Sequence, residues 1–354
     1  MSQPTRPLDD TCDLRSDTVT RPTAAMRAAM ATAPVGDDQF GEDPTINQLQ
    51  ARIATLLGKP SALWLPTGTM ANQVVLRTTT RPGDDVVVSR ESHAVWHETG
   101  GGAANAGVQF TEIGHRGIFT ADDFLAARKP RGHLLYPPTT LVEIENTHNR
   151  AGGVIFQQDA AERICAAARA HDVVSFLDGA RLWNAAVALG RTPADLAAPF
   201  DVVSVALSKG LGAPGGSVMA ASADVIARAV RHRRMLGGAM RQVGIFGAAG
   251  LYALDHNIER LADDHANARL LAERLAACRQ ITIDLTSVQT NIVVFDLEPG
   301  APDAATLVTR ARQGGVLLVA FGPRTIRAVT HLDVSTRQCE RAAATIANIA
   351  EKGA

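Results

Sequence analysis

Between about Ile46 and about Gly250 the chain alternates two kinds of segment, and few folds accommodate that alternation. One kind is short and apolar: "ALWL", "DDVVVS", "LVEIEN", "VVSFLD" and "VVSVALS". The other has helical period: "TINQLQARIATLLGK", with Thr45 placed as its N-cap, "MANQVVLRTT" and "QQDAAERICAAARAH". Short valine-rich runs without polar alternation are strands covered on both faces. Strands of that kind joined by helices run parallel, with crossover connections. The pattern therefore predicts an α/β fold around a mostly parallel sheet. After Gly250 the texture changes: "LYALDHNIERLADDHANARLLAERLAAC" reads as one long helical stretch, followed by strands at "ITIDLT", "NIVVFDL", "GVLLVAF" and "TIRAVTHL". The expected division is an N-terminal arm over 1–45, a large α/β domain over 46–250 and a small α+β domain over 251–354, with no linker, repeat or low-complexity tract between them.

Composition limits what such a chain can do. With 354 residues, 46% hydrophobic and 20% charged, it is long enough for two domains with substantial cores. Lys plus Arg number 35 and Asp plus Glu 36, so no net field points to nucleic acid or to an anionic membrane. "MSQPTRPLDD" lacks the apolar region of a secretion signal, and no stretch has the uninterrupted apolar length of a membrane helix, so the expectation is a cytoplasmic protein. Cys12, Cys165, Cys278 and Cys339 are far apart without a C-x-x-C pair, which predicts reduced, structural thiols.

Three of the predicted strands end in chemistry. "FDVVSVALSKGLGAPGG" places Lys209 directly after a buried run, where an ammonium is costly unless it reaches solvent or is chemically modified. Gly210, Gly212 and Gly215 mimic a dinucleotide fingerprint, but Pro214 interrupts it and "SVMAAS" reads as another strand rather than as a helix. "VVSFLDGAR" ends in Asp178 with Arg181 close behind, and "ALWLPTGTMAN" ends in Thr67, Gly68 and Thr69 just before a helix, a seat for phosphate. Each feature alone has an ordinary explanation as a loop lysine, a strand-end aspartate or a helix cap. Ligands bind beyond the carboxyl ends of parallel strands, and a lysine, a carboxylate and a phosphate seat at that edge match the needs of pyridoxal 5'-phosphate.

"DLRSDTVTRPT", "VGDDQFGEDPTINQL", "LPTGTMAN", "IENTHNRAGG", "DGARLWNA", "SKGLGAPGGS", "GGAMRQVG" and "VTHLDV" resemble the low-specificity L-threonine aldolases, fold-type I pyridoxal phosphate enzymes of the β-eliminating lyase group. The likeness runs from about Asp13 to about Val334. It implies an aspartate aminotransferase-like large domain with a small C-terminal domain, and retro-aldol cleavage of a β-hydroxy-α-amino acid to glycine and an aldehyde. It implies that Lys209 forms the Schiff base with the cofactor and that Asp178 pairs with the pyridine nitrogen. Gly68, Thr69 and Arg241 would contact the phosphate, and Ser16, Arg181 and Arg327 the substrate carboxylate. His93, in "ESHAVWHE", would lie over the ring and take part in binding or deprotonating the β-hydroxyl. A metal reading of His93 and His97 is weaker, because Ala94 stands where H-E-x-x-H has its glutamate and no third ligand is evident; no metal is expected. Fold-type I enzymes usually share active sites between subunits, so a homo-oligomer, tetramer or dimer, is implied, with a small amino acid as substrate. An aminotransferase, a β-eliminating lyase and a non-catalytic pyridoxal phosphate-binding protein are the alternatives.

Two positions depart from the family pattern. Phe40 replaces a common tyrosine. The family's second histidine falls on Leu135, with His133 two residues away; read as a strand, this segment would put an apolar wall at the β-carbon and weaken discrimination between threo and erythro substrates.

Overall fold

The computed structural model describes residues 11–353. The chain separates into two compact units. The larger comprises Pro22–Ala151 and Ile155–Ile258; the smaller gathers the described residues up to Arg21, the short piece Gly152–Val154, and the chain from Glu259 onward. Residues 1–10 of the expected arm lie outside the described residues.

The smaller unit opens with strand β1 (Cys12–Asp13), and the next seven strands belong to the larger unit. They are β2 (Ser61–Leu65), β3 (Asp85–Ser89), β4 (Gln109–Ile113), β5 (Thr139–Glu145), β6 (Val174–Gly179), β7 (Val202–Ala206) and β8 (Ser217–Ala221), in the order β2-β8-β7-β6-β5-β3-β4. Only β8 runs against its neighbours, so the sheet is mostly parallel, as the alternation predicts. Every residue of β3, β5, β7 and β8 is buried. Strand β4 closes the sheet edge half-exposed, and its "QFTEI" carries too mixed a pattern to be recognised from sequence.

Helices α1 (Ala24–Ala31), α2 (Pro44–Leu56) and α3 (Gly68–Thr79) fall in the larger unit. The N-cap of α2 is Asp43, not Thr45: Asp43 Oδ1 accepts from the Ile46 N–H (2.9 Å), while the Thr45 hydroxyl donates to the Pro34 carbonyl (2.6 Å). Pro44 at the first helical position decides the matter, since its fixed φ and missing N–H suit that site. Asp43 also accepts from the N–H groups of Gly36 and Gly244, so one carboxylate ties three segments together. Ala71, Val74 and Val75 of α3 pack on Leu65, Val86, Val88 and Phe176 of the sheet. Each valine, leucine or phenylalanine among them contributes roughly 1.5–3 kcal/mol by leaving water.

The long helical stretch expected after Gly250 is two helices, Gly244–His256 in the larger unit and Leu261–Ala276 in the smaller. Asn257 ends the first, and its side-chain amide donates to the Leu211 carbonyl (2.8 Å), the competition with the helix ladder that asparagine favours. In the smaller unit β9 (Ile281–Thr282), β10 (Ile292–Leu297), β12 (Val319–Ala320) and β13 (Thr325–Val329) form an antiparallel sheet, whereas β11 (Val316–Leu317) pairs with β1. The single strand expected at "GVLLVAF" thus serves two sheets, turning at buried Leu318. No helix among the described residues is long and apolar enough to cross a membrane.

Candidate active site

The carboxyl ends of β2, β3, β6 and β7 face one edge of the larger unit's sheet, and a cavity there is lined by Gly68, Asn72, His93, Asp178, Ser204 and Lys209, among others. Lys209 follows β7 by three residues and is half-buried. Its carbonyl accepts from the Gly212 N–H (2.8 Å), and the Leu207 N–H donates to the Gly216 carbonyl (3.0 Å), so the glycines build a hairpin into β8. Gly216 has φ +108, and a Cβ there would stand 2.6 Å from Trp64 Nε1, so this turn admits no larger residue.

Asp178, at the end of β6, is 2% exposed. Its Oδ1 accepts from the Ala180 N–H (3.0 Å) and its Oδ2 from Asn72 Nδ2 (2.9 Å). Gly68 and Thr69 open α3. The Thr67 hydroxyl is committed to capping the Met70 N–H (3.1 Å), and the Thr67 carbonyl receives the Ala71 N–H, so the Gly68 and Thr69 amides lie ahead of the first helical bonds. Of the two threonine hydroxyls at this strand end, only that of Thr69 is not used as the cap. No atom lies within 4 Å of where a Gly68 Cβ would stand, so the helix start opens into free space.

His93 begins α4 (His93–Trp96), its backbone N–H held by Glu145 Oε2 (2.9 Å). Burial is the main cause holding its imidazole below the ordinary histidine range; the Lys209 and Arg181 cations act the same way, while Asp178 and Glu145 oppose them. The His97 ring lies 5.4 Å away, centre to centre. Arg181 is buried just ahead of the helix Leu182–Leu189. Arg241 is not part of the cavity lining: its side chain, 57% exposed, bonds Gln39 and stands 3.6 Å from Asp37.

Several buried polar groups beside the cavity are not evident from sequence. Asn72 Nδ2 donates to both Asp178 and Glu98, and Gln73 Nε2 donates to Glu98 (2.6 Å). Burial pushes the Glu98 acid up to about 8. Glu143, inside β5, is enclosed without a hydrogen-bond partner among the described residues, and burial raises it well above the carboxylate range, with Asp178 and Glu145 adding to the effect. Burial alone would also raise Glu145, but His148, His93 and the N–H groups of Asn149 and His93 hold it low. The one signal in the sequence is charge or amide inside apolar runs, "LVEIEN" and "MANQVVL".

In the smaller unit the Ser16 hydroxyl caps a short helical turn by accepting from the Thr18 N–H (3.2 Å). Arg327, on β13, donates to the Arg15 carbonyl (2.9 Å), and its guanidinium carbon sits 4.4 Å over the Phe321 ring. Leu135 forms no apolar wall: it belongs to a turn ahead of β5 and is 78% exposed. His133 stacks on Tyr136 with centres 4.0 Å apart, and its Nδ1 accepts from the Leu135 N–H. Pro137 and Pro138 keep this segment out of the strand, which starts at Thr139. Phe40 is 72% exposed.

The profile of the beta-eliminating lyase family matches residues 13–298. The low-specificity L-threonine aldolase 1 of Arabidopsis thaliana is 40% identical over 330 residues, 92% of each chain. The low specificity L-threonine aldolase of Escherichia coli strain K12 is 40% identical over 334 residues, 94% of this chain and 97% of that one. The solved structure of Leishmania major threonine aldolase has the same fold, with TM-score 0.81 at 21% identity, covering 96% of this chain and 99% of that one.

Proposed function

The chain belongs to the beta-eliminating lyase family, and on that footing we propose that it is a pyridoxal phosphate-dependent aldehyde-lyase of the L-threonine aldolase type. It cleaves the Cα–Cβ bond of L-β-hydroxy-α-amino acids, of the threonine, allo-threonine or phenylserine kind, to glycine and an aldehyde. The observation that carries this is the convergence of Lys209, Asp178 and the open start of α3 on one cavity, in a chain 40% identical to L-threonine aldolases over more than nine tenths of its length.

The donor set suits the cofactor. The Gly68 and Thr69 amides offer N–H groups and the positive end of a helix to a phosphate, the Lys209 amine is placed for an aldehyde, and the Asp178 carboxylate, held at both oxygens, is placed to keep a proton on a ring nitrogen. When bound, pyridoxal phosphate supplies an aldehyde for the amino group and a protonated ring that withdraws electrons from the α-carbon. The chain's own residues do the remainder. The family likeness assigns the substrate carboxylate to Arg181 in the larger unit and to Arg327 and Ser16 in the smaller; a guanidinium fork orients a carboxylate as a single ammonium would not. His93, kept neutral by burial, accepts the β-hydroxyl proton as the Cα–Cβ bond breaks. The aldehyde departs, and a proton delivered to the α-carbon completes glycine.

Incubation with L-threonine, L-allo-threonine and L-phenylserine, quantifying glycine and aldehyde together, tests the reading. Equimolar products are expected. Ammonia with a keto acid would mark a β-eliminating lyase, and a 2-oxo acid with conversion of the cofactor to its pyridoxamine form would mark an aminotransferase. The enzyme is further taken to be a cytoplasmic homo-oligomer, a tetramer or dimer. Exposed apolar side chains on the larger unit, Phe40 at 72% and Leu135 at 78%, support association; light scattering on the purified protein tests it.

A further inference from the structure

The aldolase reading assigns no role to three buried polar side chains beside the cavity, those of Asn72, Gln73 and Glu98. Glu98 sits in the loop after α4 with its side chain fully enclosed. Its Oε1 accepts from Asn72 Nδ2 (3.0 Å) and its Oε2 from Gln73 Nε2 (2.6 Å). Gln73 accepts in turn from Asn105 Nδ2 through its own oxygen (3.2 Å), so its amide cannot turn over without losing both bonds. The Asn72 amide nitrogen also serves Asp178 Oδ2 at 2.9 Å. An amide has only two N–H groups, and both are spent joining the two carboxyls. The same Oε1 lies 3.9 Å from His93 Nε2, too long for a hydrogen bond. A carboxyl serving only to pack that loop would be out of place, because an apolar side chain fills the same volume without the cost of desolvating an acid.

We infer that Glu98 is a positioning residue for the reaction: through Asn72 it fixes the carboxylate of Asp178. The inference rests on the aldolase reading, in which Asp178 faces the cofactor's ring nitrogen. The Ala180 N–H already holds the other Asp178 oxygen. With Asn72 locked by Glu98, the carboxylate is clamped at both ends and cannot rotate away from the cavity. The groups facing Glu98 are Asn72, Gln73, His93, Asp178, Lys209 and, from β5, Glu143. Burial raises the Glu98 acid to about 8, which favours its neutral form at neutral pH, so no second carboxylate charge faces Asp178. Glutamine therefore reproduces the neutral group that the fold holds there, and leucine does not.

Holoenzymes of wild type, Glu98→Gln and Glu98→Leu should be compared by the dissociation constant of pyridoxal phosphate, titrated into apoprotein by fluorescence, and by kcat and KM for glycine formation. Glu98→Leu is expected to weaken cofactor binding about tenfold, as loss of an ordering hydrogen bond would. It should lower kcat by up to about a hundredfold, the penalty of a misplaced catalytic group, with KM within about threefold of wild type. Glu98→Gln is expected to stay within about threefold of wild type in every measure. If Glu98→Leu fails to fold, Asn72→Ala cuts the same link from the other end and carries the same expectation. Wild-type values in Glu98→Leu or in Asn72→Ala would overturn the inference, and so would a Glu98→Gln as impaired as Glu98→Leu. A wild-type protein that binds the cofactor yet forms no glycine sinks the aldolase reading instead, while cofactor affinity still decides the role of Glu98.

Discussion

Replacing Asp38 by alanine should damage this protein far more than its position near the surface suggests. Asp38 Oδ2 accepts from Arg233 Nη2 at 2.6 Å, and the two side chains are only 6% and 5% exposed. Arg233 Nη1 donates to the Trp64 carbonyl (3.1 Å), and Nε is enclosed without a partner among the described residues, where Asp38 is the one carboxylate balancing this charge. Removing it leaves a buried guanidinium uncompensated, which costs about 3–5 kcal/mol. The damage extends to the neighbouring segment: the Asp38 N–H bonds the Arg241 carbonyl (3.2 Å), and Asp37 stands 3.6 Å from the Arg241 guanidinium. Denaturant unfolding of the apoprotein should show Asp38→Ala losing about 3–5 kcal/mol. The double variant Asp38→Leu with Arg233→Met removes both charges and should recover most of the stability, because replacing a buried pair by apolar residues is often neutral. A loss under about 1 kcal/mol in the single variant, the range of solvated surface pairs, would refute the reasoning.

Lys209→Ala should abolish glycine formation and the cofactor's lysine-dependent absorbance, yet retain cofactor through the contacts at α3; persistence of that absorbance would remove the lysine from its role. Arg327→Ala should raise KM for amino acids well beyond its effect on cofactor affinity, as expected for a contact made equally in ground and transition states, and the opposite split would assign it to the phosphate. The His93 imidazole is held below its ordinary value, chiefly by burial, and its neutral form is the one that accepts a proton. Activity governed by it is therefore complete above the ordinary histidine value and lost only as pH falls through the lowered one. A kcat/KM profile for phenylserine should stay flat from mildly basic pH down past the ordinary value before declining, and a decline already under way above it would exclude His93 as the base.

The large sheet is legible in the chain because its strands are covered on both faces and so carry their signature without regard to neighbours: "VVSVA" and "DVVVS" admit little else. Whatever depends on context is not. Strand β4 belongs to the sheet only because β3 is there to pair with it, and "QFTEI" alone says nothing of that. Lys209, Asp178 and Gly68 are visible because each ends a recognisable strand at the edge where ligands bind. Asn72 and Glu143 are not, since an amide or acid inside an apolar segment is informative only once the structure shows what it meets, and neither is Glu98, a loop acid that nothing beside it in the sequence marks. Leu135 is misplaced from sequence for a related reason: its segment reads as strand, yet the pairing that defines a strand begins only at Thr139, beyond two prolines.

The smaller unit draws on both ends of the chain, with β1 laid beside β11 and the Leu14 carbonyl receiving the Val329 N–H (2.8 Å). On a ribosome this sets a timetable. Every residue named in the cavity, from Gly68 to Lys209, precedes Ile258, where the larger unit ends. Ser16 must wait beside an unfinished structure until Val316 and Val329 have been synthesised. If the roles proposed above hold, the residues that take the cofactor have all been made by then, Arg181 with them, while Ser16 still lacks its strand partners and Arg327 has not been synthesised. A nascent chain could then load pyridoxal phosphate, and be steadied by it, well before it is competent to meet an amino acid.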